Sequence, residues 1–216
     1  MEAKLSGLYA VTPGAAADTD AWVRKIEAAV RGGARIVQYR STADSQAARR
    51  KQVERLIPVC RHGGASLIVN DSAALAAEIG AKGVHLGRDD GPVSEARRLI
   101  GSGKWIGVSC YNDLQRARDA VAAGADYVAF GSFFPSATKP GAVRATPDLL
   151  RQARKEINLP IVAIGGIDAG NAGVLIEAGA DAIAVVSALF DSADVEAEAR
   201  RLSGLFARTT DYGMQK

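Results

Sequence analysis

The stretch Ala123-Gly-Ala-Asp-Tyr-Val-Ala-Phe130 contains the pattern that decides the fold, because the chain repeats it as Ala178-Gly-Ala-Asp-Ala-Ile-Ala-Val185. Each copy is typical of a helix end, a turn that contains glycine, and a short buried strand. Weaker echoes begin at Gly33 and Gly80. A helix, a turn and a new strand form the unit from which parallel sheets are built. The repeat therefore predicts an α/β protein with a parallel sheet.

The same alternation extends in both directions from this stretch and covers the chain. Short apolar runs predict strands at residues 8–11, 36–39, 67–69, 83–86, 105–109, 127–130, 161–164 and 182–185. Helical spacing predicts helices at 21–30, 44–60, 73–79, 94–100, 113–123, 147–157, 169–178 and about 193–207. Eight such units without a break in composition predict a single domain, residues 1–216, folded as one closed (β/α)8 TIM barrel.

An open doubly wound sheet is the alternative fold. It is less favoured, because no dinucleotide-binding glycine pattern follows the first predicted strand. Eight short strands also satisfy their edges by closing into a barrel.

Composition excludes several classes of function. The net charge of the 216 residues is only +3, and no run of Lys and Arg is interleaved with aromatic residues, so we expect no nucleic-acid partner. Cys60 and Cys110 lack metal-ligand spacing and are expected to be free thiols in a reducing compartment. No signal-peptide core and no run of about 20 apolar residues is present, so we expect a cytoplasmic protein without a membrane partner. The sequence leaves open whether the chain assembles into a homo-oligomer.

Polar residues and glycines follow the predicted strands, and the barrel hypothesis gives them a common position. Active sites of this fold lie at the carboxyl ends of the strands, so residues just after each apolar run should face one cavity. These residues are Gln38, Arg40, Asn70, Asp71, Asp89, Asp90, Ser109, Ser132, Ser136, Thr138, Lys139, Gly165, Gly166, Val186 and Ser187.

Two carboxylates from adjacent strands indicate a metal. Asp71 and Asp90 could together hold Mg²⁺, which prefers oxygen ligands and usually keeps waters and substrate phosphates. The alternative is that each caps the helix that follows it. The neighbouring cations Arg40 and Lys139 favour a bound diphosphate, because such a group needs positive side chains around it.

The loop after the sixth strand has the composition of an anion clamp. Ser136, Thr138 and Lys139 supply two hydroxyls and one ammonium, and Pro135 and Pro140 bracket them and restrict the backbone. The alternative is an ordinary solvated loop.

The ends of the last two strands also indicate an anion. Gly165-Gly166 and Val186-Ser187 fall where barrels commonly bind phosphate through backbone N–H groups. A tight turn without a ligand would use glycine equally well. His85 lies inside a predicted strand, which favours a position in the core or behind the site over a catalytic one.

Taken in order, these motifs resemble the thiamine phosphate synthase family over almost the whole chain. The motifs are Leu8-Tyr-Ala-Val-Thr12, Val37-Gln-Tyr-Arg40, Ile68-Val-Asn-Asp71, Gly83-Val-His-Leu-Gly-Arg-Asp-Asp90, Gly107-Val-Ser109, Gly131 to Lys139, Ile164-Gly-Gly-Ile167 and Val185-Val-Ser187. The resemblance implies a (β/α)8 barrel that joins hydroxymethylpyrimidine diphosphate to hydroxyethylthiazole phosphate and releases pyrophosphate.

The resemblance also implies roles for individual residues. Asp71 and Asp90 would be the Mg²⁺ ligands, and Lys139, Arg40 and Ser109 would act in catalysis. The implied substrate contacts are Gln38 and Ser109 to the pyrimidine, Arg40, Asn70 and Lys139 to the diphosphate, Ser136 and Thr138 to the phosphate-bearing partners, and Gly166, Val186 and Ser187 to the thiazole phosphate. The implied reaction is dissociative: the diphosphate leaves first, and the thiazole nitrogen captures the carbocation.

One departure from the family pattern affects the diphosphate site. The family commonly has Gln-X-Arg-X-Lys after the second strand, whereas this chain has Gln38-Tyr-Arg-Ser-Thr42. A lost charge-assisted contact is worth about 1.5–3 kcal/mol, so its loss would either weaken diphosphate binding or require another basic residue such as Arg88. Ser136 stands where threonine is commoner and keeps the hydroxyl. A thiazole tautomerase-like relative and a non-catalytic binder of thiazole phosphate or thiamine phosphate remain the alternative functions.

Overall fold

The eight strands close into one parallel barrel, in the order β1 to β8 around the ring. The computed structural model describes residues 5–14, 20–42, 45–135, 141 and 143–212. Closure occurs between the first and last strands, where Leu8 pairs with Ile183 and Ala10 with Val185. The predicted (β/α)8 TIM barrel is therefore confirmed, and the open sheet is wrong because β1 and β8 leave no free edge.

The strands and helices have the following bounds. The strands are β1 Gly7–Val11, β2 Ala34–Tyr39, β3 Ser66–Asn70, β4 Gly83–Leu86, β5 Trp105–Tyr111, β6 Tyr127–Phe130, β7 Ile161–Ile164 and β8 Ala182–Val185. The helices are α1 Asp20–Arg31, α2 Gln46–Gly63, α3 Ala73–Glu78, α4 Val93–Ile100, α5 Leu114–Ala122, α6 Pro147–Glu156, α7 Ala172–Glu177, α8 Ser187–Phe190 and α9 Val195–Tyr212. Within these described ranges, no helix has the length and apolar character needed to span a bilayer.

Side chains alternate along each strand and build two separate cores. Inward-facing residues such as Tyr9, Ile36 and Tyr127 pack together inside the barrel. Their outward-facing neighbours, such as Leu8 and Val37, pack against the ring of helices. This period of two is the geometry of any strand, and it decides which strand residues can reach the cavity.

The repeated Ala-Gly-Ala-Asp motif has a structural explanation at the amino end of the barrel. Asp126, just before β6, accepts the N–H of Ile106 at the start of β5, at 2.7 Å, and pairs with Arg97 of α4. Asp181, just before β8, accepts the N–H of Ile161 at the start of β7, at 2.8 Å, and pairs with Arg154 of α6. These contacts tie a helix and two strands together at the face opposite the cavity, where barrel residues serve stability.

Candidate active site

A cavity of about 820 Å³ opens at the carboxyl ends of the strands. Such a volume suits a small-molecule site. Side chains from β2 to β5 supply its polar wall, with Gln38, Asn70, His85 and Ser109 as the members. The opposite wall is made largely of backbone and small or apolar side chains from β6 to β8, among them Ala129 and Ala184, and from the loops that follow those strands. The two halves of the cavity therefore offer different recognition chemistry.

Arg40 lies at the mouth of the cavity, and a fully buried threonine holds its backbone. Thr12 Oγ1 accepts the Arg40 N–H and donates to the Arg40 carbonyl oxygen, both at 2.9 Å. The Thr12 N–H donates to the Gln38 carbonyl oxygen, also at 2.9 Å. Thr12 itself is 0% exposed. The residue after β1 thus fixes the backbone of two predicted site residues, Gln38 within β2 and Arg40 just after it.

A chain of hydrogen bonds runs under the polar wall from Gln38 to Ser109. Gln38 Nε2 donates to the Tyr9 hydroxyl, which lies 2.9 Å from the Tyr127 hydroxyl. His85 Nδ1 lies 2.9 Å from the Tyr127 hydroxyl, and His85 Nε2 lies 2.9 Å from Ser109 Oγ. We call these five residues the buried relay. Gln38 and Ser109, which the family resemblance implies as the pyrimidine contacts, are its two ends.

Burial keeps the phenols of the relay protonated. Both tyrosine hydroxyls lie inside the barrel, and burial raises the pKa of Tyr9 and of Tyr127 well above the ordinary value of 10.0. The ring of Tyr127 fits because β5 has glycine beside it: a Cβ on Gly107 would lie 1.9 Å from Tyr127 Cζ. The sequence predicted His85 in the core or behind the site. In the structure it lines the cavity and contacts both Tyr127 and Ser109.

The acidic residues lie at the ends of β3 and β4. Asp71 is exposed and has a left-handed backbone, with φ of 65°. Asp90 Oδ2 accepts the Gly87 N–H at 2.6 Å. Neither carboxylate caps the following helix, since Ser72 caps α3 and Pro92 occupies the N-cap of α4.

Asp89 and Asp168 are the acidic residues among the described lining of the cavity, whereas Asp71 and Asp90 do not belong to that lining. No group of three or more His, Cys, Asp or Glu side chains that could hold a metal ion occurs within the described ranges. The two predicted metal ligands follow adjacent strands, β3 and β4.

The glycine-rich wall is formed by Gly165 and Gly166, which line the cavity after β7. Both have positive φ, 103° and 65°. A Cβ on Gly166 would lie 2.4 Å from the Pro135 carbonyl oxygen, so the loop after β6 needs glycine there. Val186 and Ser187 also line the cavity, and Ser187 begins α8, a short extra helix of the kind that completes phosphate sites in this fold.

The loop after β6 is fixed at both of its ends. Ser132 N donates to the Val143 carbonyl oxygen and Ala145 N to the Ser132 carbonyl oxygen, both at 3.0 Å. Pro135, Gly141 and Val143 line the cavity. The predicted anion-binding residues Ser136, Thr138 and Lys139 lie outside the described residues.

Three features of the site were not predicted: Tyr111 beneath Arg88, Asp168, and the inward-facing pair Tyr9 and Tyr127. Tyr111 lines the cavity beneath the guanidinium of Arg88, with Arg88 Cζ 4.9 Å from the ring centroid. Asp168 lines it after β7. A sequence signal for the two tyrosines did exist. The alternation of side chains along β1 and β6 places Tyr9 and Tyr127 on the inner face, as it does Gln38 and Ser109 on their strands. Because a buried phenol needs a hydrogen-bond partner, contacts among these residues could have been expected.

A closed (β/α)8 barrel with a polar cavity at the carboxyl ends of its strands defines this protein as a barrel enzyme. The family model described as thiamine monophosphate synthase matches residues 8–189. The chain belongs to the thiamine monophosphate synthase family.

Individual relatives agree with this membership. A thiamine-phosphate synthase of Nitrosospira multiformis is 52% identical over 205 residues, covering 95% of this chain and 87% of that protein. One of Thiobacillus denitrificans is 53% identical over 201 residues, covering 93% and 95%. The solved thiamine phosphate pyrophosphorylase from Pyrococcus furiosus is 30% identical, covers 94% of this chain and 96% of its own, and has a TM-score of 0.83.

Proposed function

We infer that this chain is a transferase with the activity of its family, the synthesis of thiamine phosphate from hydroxymethylpyrimidine diphosphate and hydroxyethylthiazole phosphate, with release of pyrophosphate. One observation carries the inference: side chains of β2 to β5 and glycine backbone after β7 face each other across one cavity of about 820 Å³. Two substrates with different recognition groups can meet there. The identity of about 50% with thiamine-phosphate synthases over more than nine-tenths of the chain supports it.

The pyrimidine diphosphate is assigned to the polar wall. Gln38 and Ser109 contact the pyrimidine, and Arg40, Asn70 and Lys139 contact the diphosphate. Four of these residues line the cavity, and Lys139 belongs to the loop whose flanks line it. Arg40 acts in catalysis, because a guanidinium stabilises the charge that develops on a departing diphosphate.

The thiazole phosphate is assigned to the opposite wall. Gly166, Val186 and Ser187 line the cavity there, and backbone N–H groups at glycine and at a helix start suit a phosphate. Ser136 and Thr138 add hydroxyls for the phosphate-bearing partners. The family resemblance supports both of these last assignments.

Mg²⁺ is assigned to Asp71 and Asp90. Their carboxylate oxygens fit this ion, which is usually held by one or two carboxylates together with waters and substrate phosphates. Asp71 keeps a backbone conformation that most side chains avoid, and such outliers concentrate at functional sites. The ion, when bound, supplies charge neutralisation for the diphosphate.

The reaction asks the protein to stabilise a leaving group and to exclude water. A dissociative substitution needs no strong protein base, and the relay offers none, since both ring nitrogens of His85 are in hydrogen-bond contact. Lys139 and Arg40 stabilise the departing diphosphate, and Ser109 holds the pyrimidine while the carbocation lasts.

Arg88 replaces the lysine that the family commonly has after β2. Thr42 occupies that region and donates to the Gly14 carbonyl oxygen at 2.6 Å, so it fastens the loop after β1. Arg88 is exposed, lines the cavity and lies over the Tyr111 ring. Its guanidinium is the cation that we assign to the diphosphate in place of lysine.

Pyrophosphate release separates the proposal from its alternatives. The purified chain is incubated with both substrates and Mg²⁺, with each substrate alone, and with both substrates and a chelator. A synthase releases pyrophosphate only when both substrates and the metal are present. A tautomerase-like enzyme would convert the thiazole phosphate alone, and a non-catalytic binder would release nothing. Either of those results would refute the proposed activity.

Two further parts of the proposal concern the cell. A cytoplasmic location is supported by Cys60 and Cys110, which are free and buried, as thiols of reducing compartments usually are. Association with copies of itself is tested by light scattering of the full chain at several concentrations.

A further inference from the structure

The buried relay joins the two pyrimidine contacts through three residues that lie beneath the cavity wall. Tyr9 and Tyr127 are 1% and 0% exposed, so neither hydroxyl is in contact with bulk solvent. A buried hydroxyl that lacks an acceptor is costly. Every O–H and N–H proton in the chain of contacts must therefore point at an acceptor, and this requirement sets a direction.

The direction starts at Gln38. Its Nε2 donates to the Tyr9 oxygen, so the Tyr9 proton must go to its other partner, the Tyr127 oxygen. Tyr127 then gives its own proton to His85 Nδ1. His85 Nδ1 acts as an acceptor, which leaves the ring proton on Nε2, facing Ser109 Oγ.

We propose that Tyr9, Tyr127 and His85 are positioning residues that hold His85 as the neutral Nε2–H tautomer and thereby make Ser109 present its hydroxyl to the substrate as a hydrogen-bond donor. The inference rests on the proposed function for the identity of that substrate. The reverse direction would require Gln38 to turn its amide and offer the carbonyl oxygen to Tyr9, and Ser109 would then donate to His85.

The consequence is a fixed pattern of donors and acceptors at the floor of the cavity. Ser109 Oγ accepts the hydrogen bond from His85 Nε2–H, so the Ser109 proton is available to an acceptor such as a ring nitrogen of a pyrimidine. Gln38 donates one side-chain N–H to Tyr9, and its second N–H and its carbonyl oxygen remain for the substrate. Sites that pair with substrate hydrogen-bonding groups reject analogues lacking them far more strongly than apolar pockets do.

Nitrogen NMR of the histidine rings tests the direction without any substrate. The chain has two histidines, and His62→Gln assigns the signals of His85. We expect Nδ1 of His85 to resonate as a non-protonated nitrogen and Nε2 as a protonated one. A proton on Nδ1, alone or on both nitrogens, would overturn the proposal.

Two single-hydroxyl deletions test the coupling. Tyr127→Phe removes the donor to His85 Nδ1, so the His85 signals should move toward a mixture of tautomers. Tyr9→Phe leaves that donor in place, so the Nε2–H tautomer should persist. The same shift in both variants, or in neither, contradicts the proposed direction; if Tyr127→Phe does not fold, the wild-type and Tyr9→Phe spectra still decide it. The matched control is Tyr39→Phe, which removes a buried hydroxyl that donates to Gln52 at 2.8 Å outside the relay.

Kinetics separate positioning from a purely structural role. In Tyr127→Phe we expect the KM for the pyrimidine diphosphate to rise about tenfold, the equivalent of one hydrogen bond. The KM for the thiazole phosphate should stay within about twofold, and Tyr39→Phe should change neither. A lower kcat with both KM values unchanged would reduce the tyrosines to structural residues. If the wild-type chain shows the expected tautomer but no synthase activity, the relay stands and the proposed function fails.

Discussion

Thr12→Val tests whether the end of β1 positions Arg40 for catalysis. The substitution replaces the buried hydroxyl with a methyl group of similar size and removes both hydrogen bonds to the Arg40 backbone. Each such bond contributes about 0.5–1.5 kcal/mol net, so the free energy of unfolding should fall by about 1–3 kcal/mol. For a domain of this size, a loss near 2 kcal/mol lowers Tm by about 4–8 °C.

The effect on activity should be specific to one substrate. Arg40 is assigned to the diphosphate, whereas the backbone N–H by which Thr12 holds Gln38 remains in the valine variant. If about 1.4 kcal/mol of the loss falls on the contact between Arg40 and the diphosphate, the KM for the pyrimidine diphosphate rises about tenfold. The KM for the thiazole phosphate should not change, because we assign that substrate to the opposite wall.

Thr12→Ser is the matched control, because serine keeps the hydroxyl and loses only a buried methyl group. We expect a smaller fall in Tm, since one buried methyl is worth about 0.8 kcal/mol or more, and an unchanged KM for the pyrimidine diphosphate. Steady-state kinetics with each substrate varied in turn measures both. A tenfold rise in Thr12→Ser as well, or a wild-type KM in Thr12→Val, would refute the reasoning.

Turnover, stability and thiol reactivity provide three other tests. Lys139→Ala and Asp71→Ala should each lower kcat about 100-fold or more with little change in Tm. A variant that releases pyrophosphate at the wild-type rate would refute the role assigned to the substituted residue. Asp181→Ala leaves the buried N–H of Ile161 without its acceptor and should cost about 2–3 kcal/mol in urea unfolding, whereas exposed Asp148→Ala should cost far less. Burial raises the pKa of both thiols from 9.0 to about 12, so the native protein should not react with DTNB at pH 8. Their contribution to stability is full below pH 9 and is lost as pH rises toward 12; rapid native labelling would contradict this.

The barrel could be predicted because its local signals are strong and repeat. Strands β4, β6, β7 and β8 have the predicted bounds, since glycine or polar residues flank each short apolar run. Helix α8 was missed because its four residues are too few to show a helical period. The single-domain assignment of residues 1–216 stays a prediction.

The candidate site was predicted in part, for a reason that lies in the geometry of parallel strands. Positions after an apolar run must gather at one end of the barrel, and Gln38, Arg40, Asn70 and Ser109 do line one cavity. The contacts between side chains could not be predicted, because they depend on the relative heights of the strands in the barrel and on how each ring is turned. The roles of Asp71 and Asp90 stay predictions, as does that of Lys139, which lies outside the described residues.

The two walls of the cavity impose different requirements on the sequence that builds them. The polar wall uses particular side chains, and the buried relay connects Gln38 and Ser109 through tyrosines that are not among the described lining residues of the cavity. The glycine-rich wall needs the absence of side chains, since a Cβ on Gly166 would meet the loop after β6. Recognition on the polar wall can therefore be altered by removing a single hydroxyl without moving the backbone. A side chain added at Gly166 would displace the loop after β6, which borders the cavity, so such a change should affect this loop and the proposed thiazole phosphate site together.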